Sequence, residues 1–346
     1  MNIDVITDEI NSTLKGQVEQ LCSEISEIDE SLSSVTSALT DYLTSGKRFR
    51  PLFAILGFLG TGSKLSPEIF RAVCALEFLQ ASALIHDDLM DGSDTRRGKP
   101  AIHKQFGEMH GEDFGSAAAI LIGDLALIWS EQSLQESGIG FQQLQSVNSI
   151  FAKMRSELMA GQFLDIFEQT QNGFSIERSL KIARYKSGKY SIERPLHFGA
   201  ALSGSKNLET FYQIYSDYGL PLGEAFQLRD DLLGVFGDPA VTGKPAGDDL
   251  CEGKKTALIA FAYDRGSEPI KKLISQKLGT SLSEQEVDQL RSAIIESGAV
   301  IHVEDLIEKL AENALDAINQ AGQSVIEKTT RGLLAQMVDL VTKRTS

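Results

Sequence analysis

Two acidic clusters in apolar surroundings carry the chemistry of this sequence. They are Leu84-Ile85-His86-Asp87-Asp88-Leu89-Met90-Asp91 and, far downstream, Gln227-Leu228-Arg229-Asp230-Asp231. Carboxylates are seldom buried unless paired or bound to metal, so their recurrence within hydrophobic periodicity points to a shared divalent-cation site. On a helix, Asp87 and Asp91 occupy one face with Cβ atoms about 5–6 Å apart, and Asp88 flanks them. Hard oxygen donors so spaced suit Mg²⁺, which commonly joins one or two carboxylates to substrate phosphates. Each cluster also has a plainer reading: a helix cap or solvated turn for the first, and ion pairs with Arg229 and other cations for the second.

Basic groups accompany both clusters. Asp94-Thr95-Arg96-Arg97-Gly98-Lys99-Pro100 puts two guanidinium groups just past the first, and guanidinium matches phosphate oxygens in bidentate geometry. The stretch from Gly237 to Thr256 places Lys244 and Lys254 beside glycines without Walker spacing. Further groups are Thr44-Ser45-Gly46-Lys47-Arg48-Phe49-Arg50-Pro51 and Tyr185-Lys186-Ser187-Gly188-Lys189-Tyr190. Each group alone reads as ordinary solvated or salt-bridged charge. Together, in an acidic chain, they describe a diphosphate site.

The elements that must position these residues read as helices. Apolar residues at Ile6, Ile10, Leu14, Val18, Leu21 and Ile25 recur in three- and four-residue steps. The period continues through Pro51–Gly60, Pro67–Asp91, Gly115–Gln135, Phe141–Thr170, Ile176–Ser203, Leu208–Phe236, Lys255–Ala262 and three segments from Glu268 to Lys343. Pro195 and Pro221 should kink or divide their helices. The longest non-helical piece expected is Gly237–Gly253, and no series of strands is apparent. The reading is one all-α domain over 1–346, with roughly ten or more helices and an N-terminal helical region, 1–45, expected to support a dimer.

Composition sets bounds. The 346 residues, 42% hydrophobic, can bury a large core. A net charge of −15 (33 minus 48) argues against nucleic acid and against an anionic membrane surface. Anionic substrates must therefore be met by local cations or metal. Cys22, Cys74 and Cys251 match no ligand spacing, which fits a reducing, cytoplasmic compartment. The N-terminus lacks a signal-peptide pattern, and the apolar run from Ala117 to Trp129 is cut by Asp124, so no stable membrane insertion is expected.

With these residues in order, the chain closely resembles the trans-isoprenyl diphosphate synthases, the polyprenyl synthetase family, and most of all the geranylgeranyl diphosphate synthases. The resemblance runs from about Gly46 to the last helices. Its motifs are Gly46–Pro51, Asp87-Asp88-Leu89-Met90-Asp91 with Arg96-Arg97-Gly98, Gly123-Asp124, Gly161-Gln162 with Asp165, Lys186-Ser187, Phe226-Gln227 with Asp230-Asp231, and Gly243-Lys244 with Gly253-Lys254. It implies mostly antiparallel helices around a central cavity, a homodimer, and head-to-tail joining of an allylic diphosphate (dimethylallyl, geranyl or farnesyl) to isopentenyl diphosphate.

By position, the resemblance gives isopentenyl diphosphate to Lys47, Arg50, Gln80 and Arg97, and the allylic diphosphate to Arg96, Lys186, Ser187, Gln227, Lys244 and Lys254. Asp87, Asp91 and Asp230 become the main ligands of roughly three magnesium ions, with Asp88 and Asp231 assisting. The catalytic set is Asp87, Asp88, Asp91, Asp230 and Lys186. Metal and cations would stabilise charge developing on diphosphate as the allylic C–O bond breaks. The alkene of isopentenyl diphosphate then attacks the cation, and a proton passes to the departing diphosphate.

Departures from the pattern are Gly234 where the second motif usually has a third aspartate, Gln80 for a frequent histidine, and Ser187 for threonine. Small residues at Ser82 and Ala83, one turn before Asp87, leave room for a growing tail. With Leu79 and Leu76 as floor, they favour a C20 product, geranylgeranyl diphosphate. Competing readings are a longer-chain polyprenyl synthase, a class I terpene cyclase, and a non-catalytic regulatory subunit. His86 is open between a supporting role and a plain helix-face residue, Glu77 reads as structural, and Lys343-Arg344 as solvated.

Overall fold

The structure, a computed structural model, describes residues 2–238, 247–321 and 325–344. Its helices are α1 Ile3–Ser26, α2 Ser33–Thr44, α3 Phe49–Gly60, α4 Pro67–Asp91, α5 Ile102–His110, α6 Glu112–Gln135, α7 Phe141–Gln169, α8 Ile176–Ile182, a π-helix Ala183–Glu193, α9 Arg194–Leu202, α10 Leu208–Phe236, α11 Asp248–Glu252, α12 Ala257–Arg265, α13 Glu268–Lys277, α14 Glu284–Glu296, α15 Ala299–Gln320 and α16 Lys328–Thr342. The expected all-α class is what forms. The sheet among the described residues is one antiparallel pairing of β1, Thr95–Arg96, with β2, Lys99–Pro100.

The chain gathers into two compact units. One holds Met1–Phe151, Pro195–Tyr212 and Gln323–Leu333; the other holds Ala152–Arg194, Gln213–Gly322 and Leu334–Ser346. In the first unit α4 packs on α1, α3, α5 and α6, and the stripe Ile6, Ile10, Leu14, Val18 and Leu21 of α1 is buried within that unit. Glycines set the closest approaches. A Cβ at Gly199 would stand 1.8 Å from the Ala54 carbonyl oxygen, and one at Gly57 2.2 Å from that of Leu196, so α3 and α9 touch backbone to backbone.

In the second unit a separate apolar core runs from Ala225, Leu228 and Leu232 of α10 through Leu258 and Ile259 to Leu290, Ile294, Val303 and Ile307. Here Gly188 and Gly223 meet, a Cβ at 223 lying 2.5 Å from Gly188 Cα. Neither side could carry a larger residue without shifting the other.

Several boundaries differ from the periodic reading. The segment Ile176–Ser203 divides into α8, the π-helix and α9, with Pro195 just inside α9. Residues after 268 form four helices and not three, and a short helix, α11, interrupts the connection expected to be irregular from 237 to 253. Pro221 stays inside α10.

Candidate active site

The first acidic cluster closes α4. Pro67 sits at the first turn, and Gly92 ends the helix in the left-handed region at φ 68°, the usual conformation of a C-terminal glycine. The chain then turns through the β1–β2 hairpin, whose two-residue loop is Arg97 (φ 54°) and Gly98 (φ 75°). Two positive φ angles define the turn type that matches the twist of paired strands. That turn carries Arg96 back onto the helix end.

Asp88, 1% exposed, is fully engaged there. Arg96 Nε donates to its two oxygens at 2.9 and 3.1 Å, Arg96 Nη2 donates to Oδ1, and the Tyr42 hydroxyl donates to Oδ2 at 2.8 Å. Burial and the Asp88 charge push the Tyr42 phenol well above its ordinary range. Asp87 lies 3.9 Å from the same guanidinium, and Asp91 follows one turn later. Arg97 Nη1 donates to the carbonyls of Tyr42 and Ser45 and to the Ser45 hydroxyl.

Arg50 and Lys47 belong to the neighbouring turn, Lys47 exposed and Arg50 half-buried. Between them Arg48 adopts φ 57°, an uncommon conformation for a non-glycine residue. It is held by a buried ion pair with Glu77 at 2.5 Å and by Asn11 Oδ1 at 2.8 Å. Glu77 is therefore the structural residue expected. His86 bridges helices, its Nε2 3.1 Å from the Ile120 carbonyl and 3.7 Å from Asp124, in space opened by Gly123, where a Cβ would lie 2.2 Å from that nitrogen. Gln80 is half-buried; Ser82 and Leu79 are fully buried, and Ala83 half-buried, on α4.

The second cluster lies on α10. Asp231, 3% exposed, accepts from Gln227 Nε2 at 2.8 Å and from the Ala257 amide at 3.1 Å. Burial, with the charges of Asp249 and Asp230, pushes its carboxyl up to about 7. Asp230 accepts from Arg344, whose guanidinium also donates to the Phe226 carbonyl at 3.1 Å and lies 4.1 Å from the centre of the Phe226 ring. Arg344 is thus not solvated, as the sequence suggested. Arg229, which the plainer reading of this cluster pairs with the aspartates, turns to Glu304 at 2.6 and 2.7 Å.

Lys186 and Ser187 lie on the π-helix, a geometry that occurs mostly as short bulges, often at functional sites. Lys186 Nζ meets Asp165 at 2.6 Å. Gly161 makes this possible, since a Cβ there would lie 2.4 Å from the Lys186 amide nitrogen. Lys254 pairs with Glu252 at 2.5 Å and lies 3.7 Å from Asp249. Lys244 falls outside the described residues. Tyr42, Asp165, Asp249 and Arg344 were not among the expected site residues; Asp165 stood in a motif already noted, Asp249 in the Gly237 to Thr256 stretch and Arg344 in the terminal basic pair, while nothing local marks Tyr42.

Among the described residues no three His, Cys, Asp or Glu side chains form a ready cluster for a metal. The carboxylates nevertheless fit Mg²⁺. They are hard oxygen donors, with Asp87 and Asp91 on one face of α4; Arg96 and Arg344 stand on Asp87, Asp88 and Asp230 as resident cations.

An all-α protein with two helix-borne aspartate clusters, one met by Arg96 and the other by Arg344, has the make-up of a diphosphate-ionising synthase. The polyprenyl synthetase profile matches residues 32–294, and the chain belongs to that family; it is a trans-prenyltransferase. It is 30% identical over 306 residues to the geranylfarnesyl diphosphate synthase of Aeropyrum pernix, covering 86% of this chain and 90% of that one. It is 29% identical over 340 residues to the geranylgeranyl diphosphate synthase of Methanosarcina mazei, covering 96% and 98%. The crystal structure of geranylgeranyl pyrophosphate synthase from Corynebacterium glutamicum, complexed with isoprenyl diphosphate and magnesium, superposes with a TM-score of 0.94 at 36% identity, covering 99% of this chain and 100% of that one.

Proposed function

We propose that the chain condenses isopentenyl diphosphate head-to-tail with dimethylallyl, geranyl and farnesyl diphosphates and releases all-trans geranylgeranyl diphosphate. The observation that carries this is the pairing of three of the expected phosphate-binding cations with helix-end or helix-borne carboxylates: Arg96 with Asp88, Lys186 with Asp165, Lys254 with Glu252. Such groups are poised to meet a metal-bound diphosphate. The 36% identical structure described with isoprenyl diphosphate and magnesium supports the same ligands here.

In this reading Asp87, Asp91 and Asp230 hold magnesium, and Asp88 and Asp231 assist by fixing Arg96 and Gln227. Bound magnesium would neutralise the charge that develops on the leaving diphosphate. Arg96, Lys186, Ser187, Gln227, Lys244 and Lys254 bind the allylic diphosphate; Lys47, Arg50, Gln80 and Arg97 bind isopentenyl diphosphate. No side-chain nucleophile is required. Ser82, Ala83 and Leu79 set product length from α4.

The homodimer is retained as part of the proposal. Phe114, Leu121 and Ile128, seven residues apart on α6, are 49%, 68% and 61% exposed, an apolar stripe suited to a second copy. The N-terminal stripe of α1, by contrast, is buried in its own unit. A cytoplasmic location fits three unbridged thiols. A single domain is supported by the interleaving of the two units along the sequence and by a family match that crosses both.

The test is incubation of purified protein with Mg²⁺, isopentenyl diphosphate and each allylic primer, followed by chromatography of dephosphorylated products. A C20 alcohol is expected. A hydrocarbon formed from farnesyl diphosphate alone would identify a cyclase, and a C25 or longer alcohol would favour the geranylfarnesyl relative's reading.

A further inference from the structure

We propose that Asp249 supplies the carboxylate that the second cluster lacks at Gly234. Gly234 lies four residues after Asp230 on α10, the spacing by which Asp91 follows Asp87 on α4, so a side chain there would share the Asp230 face. That position is occupied. A Cβ built on Gly234 would stand 2.0 Å from Asp249 Oδ2 and 2.5 Å from its Cγ. The carboxylate of Asp249 therefore fills the volume in which a side chain at 234 would begin.

Packing alone does not require an acid at this point. The Asp249 charge is felt at Asp231, and Lys254 lies 3.7 Å from Asp249 Oδ1 and pairs with Glu252. An uncharged side chain of similar size would fill the same volume. A cation arriving with diphosphate gives the acid its role: the site regains, from α11, the negative charge that glycine removes from α10. This assignment rests on the magnesium–diphosphate reading given above and concerns a residue outside the ligands assigned there.

The test is calorimetric titration of inorganic diphosphate into the full-length protein with and without Mg²⁺, with folding followed by thermal denaturation. Asp249→Asn keeps the volume and removes the charge; magnesium-dependent binding is expected to weaken about tenfold, or ~1.4 kcal/mol. The double variant Gly234→Asp/Asp249→Ala, which moves the carboxylate back onto α10, is expected to recover most of that loss, a rescue that a purely structural role would not give. Unchanged magnesium dependence in Asp249→Asn, or a folded double variant without recovery, overturns the assignment and leaves the proposed function standing. Wild-type binding with no magnesium dependence overturns both.

Discussion

Arg344 and Asp230, 114 residues apart, form an ion pair that places a guanidinium on the carboxylate proposed to bind metal. Stacking on Phe226 and a hydrogen bond to its carbonyl hold the arginine in place. Metal must therefore compete with a resident cation. In Arg344→Gln that competitor is gone, and the magnesium concentration giving half-maximal activity is expected to fall about two- to fivefold, a modest effect because Asp230 is partly solvated. A magnesium titration of initial rate checks it; an unchanged or higher requirement would refute the competition.

Asp88 anchors Arg96 from a position with almost no solvent. Asp88→Asn leaves a mostly buried guanidinium without its counter-charge and is expected to cost about 3 kcal/mol of stability, whereas Tyr42→Phe removes one hydrogen bond and costs about 1 kcal/mol. Urea denaturation of the two variants should rank them in that order.

The metal-free protein has a defined pH response at Asp231. Its carboxyl is raised from an ordinary 3.8 to about 7. Below pH 4 it is protonated in both folded and unfolded chains. As pH rises from about 4 to 7 the unfolded chain releases the proton first, so the stability contributed by the neutral acid declines across that window and is gone above it. Thermal melts in chelator should show this decline, and Asp231→Asn should flatten it.

Gly161 lets α7 reach the backbone at Lys186. Gly161→Ala is expected to cost about 1–3 kcal/mol by overpacking and to lower activity by displacing Lys186 from Asp165. Denaturation and steady-state kinetics on the same sample separate the two effects; a stable variant with wild-type kinetics would show that the contact does not position the lysine.

Product length is expected to respond to Ser82, fully buried on α4. Ser82→Phe should shift products toward C15, read by chromatography of the dephosphorylated alcohols. Retention of the wild-type distribution would place the tail elsewhere.

The fold class and both acidic clusters were legible because their signals are local. Pro67 opens α4 and Gly92 stops it, and the periodicity of α10 runs from Leu208 to Phe236 as expected. The π-helix was not legible. Its wider turns, with the Arg194 amide reaching back five residues to the Lys189 carbonyl, are accommodated by a glycine contact with Gly223, which only folding creates. The same applies to Arg344, whose partners lie over a hundred residues away, and to Asp249, which meets Gly234 only in the folded chain and not through any spacing. Gly234 itself was noticed as a gap in a pattern; what fills the gap needed coordinates.

Under the proposed function, the paired state of Arg96, Lys186 and Lys254 makes ligand binding an ion exchange. A metal that takes carboxylate oxygens would free guanidinium and ammonium groups, and those same groups would donate to the incoming diphosphate. Neither ligand alone completes the exchange, because metal without diphosphate strands the cations and diphosphate without metal strands the acids. Affinity for each should therefore rise in the presence of the other by the same factor, as linkage requires, so that ionisation begins only after both have arrived.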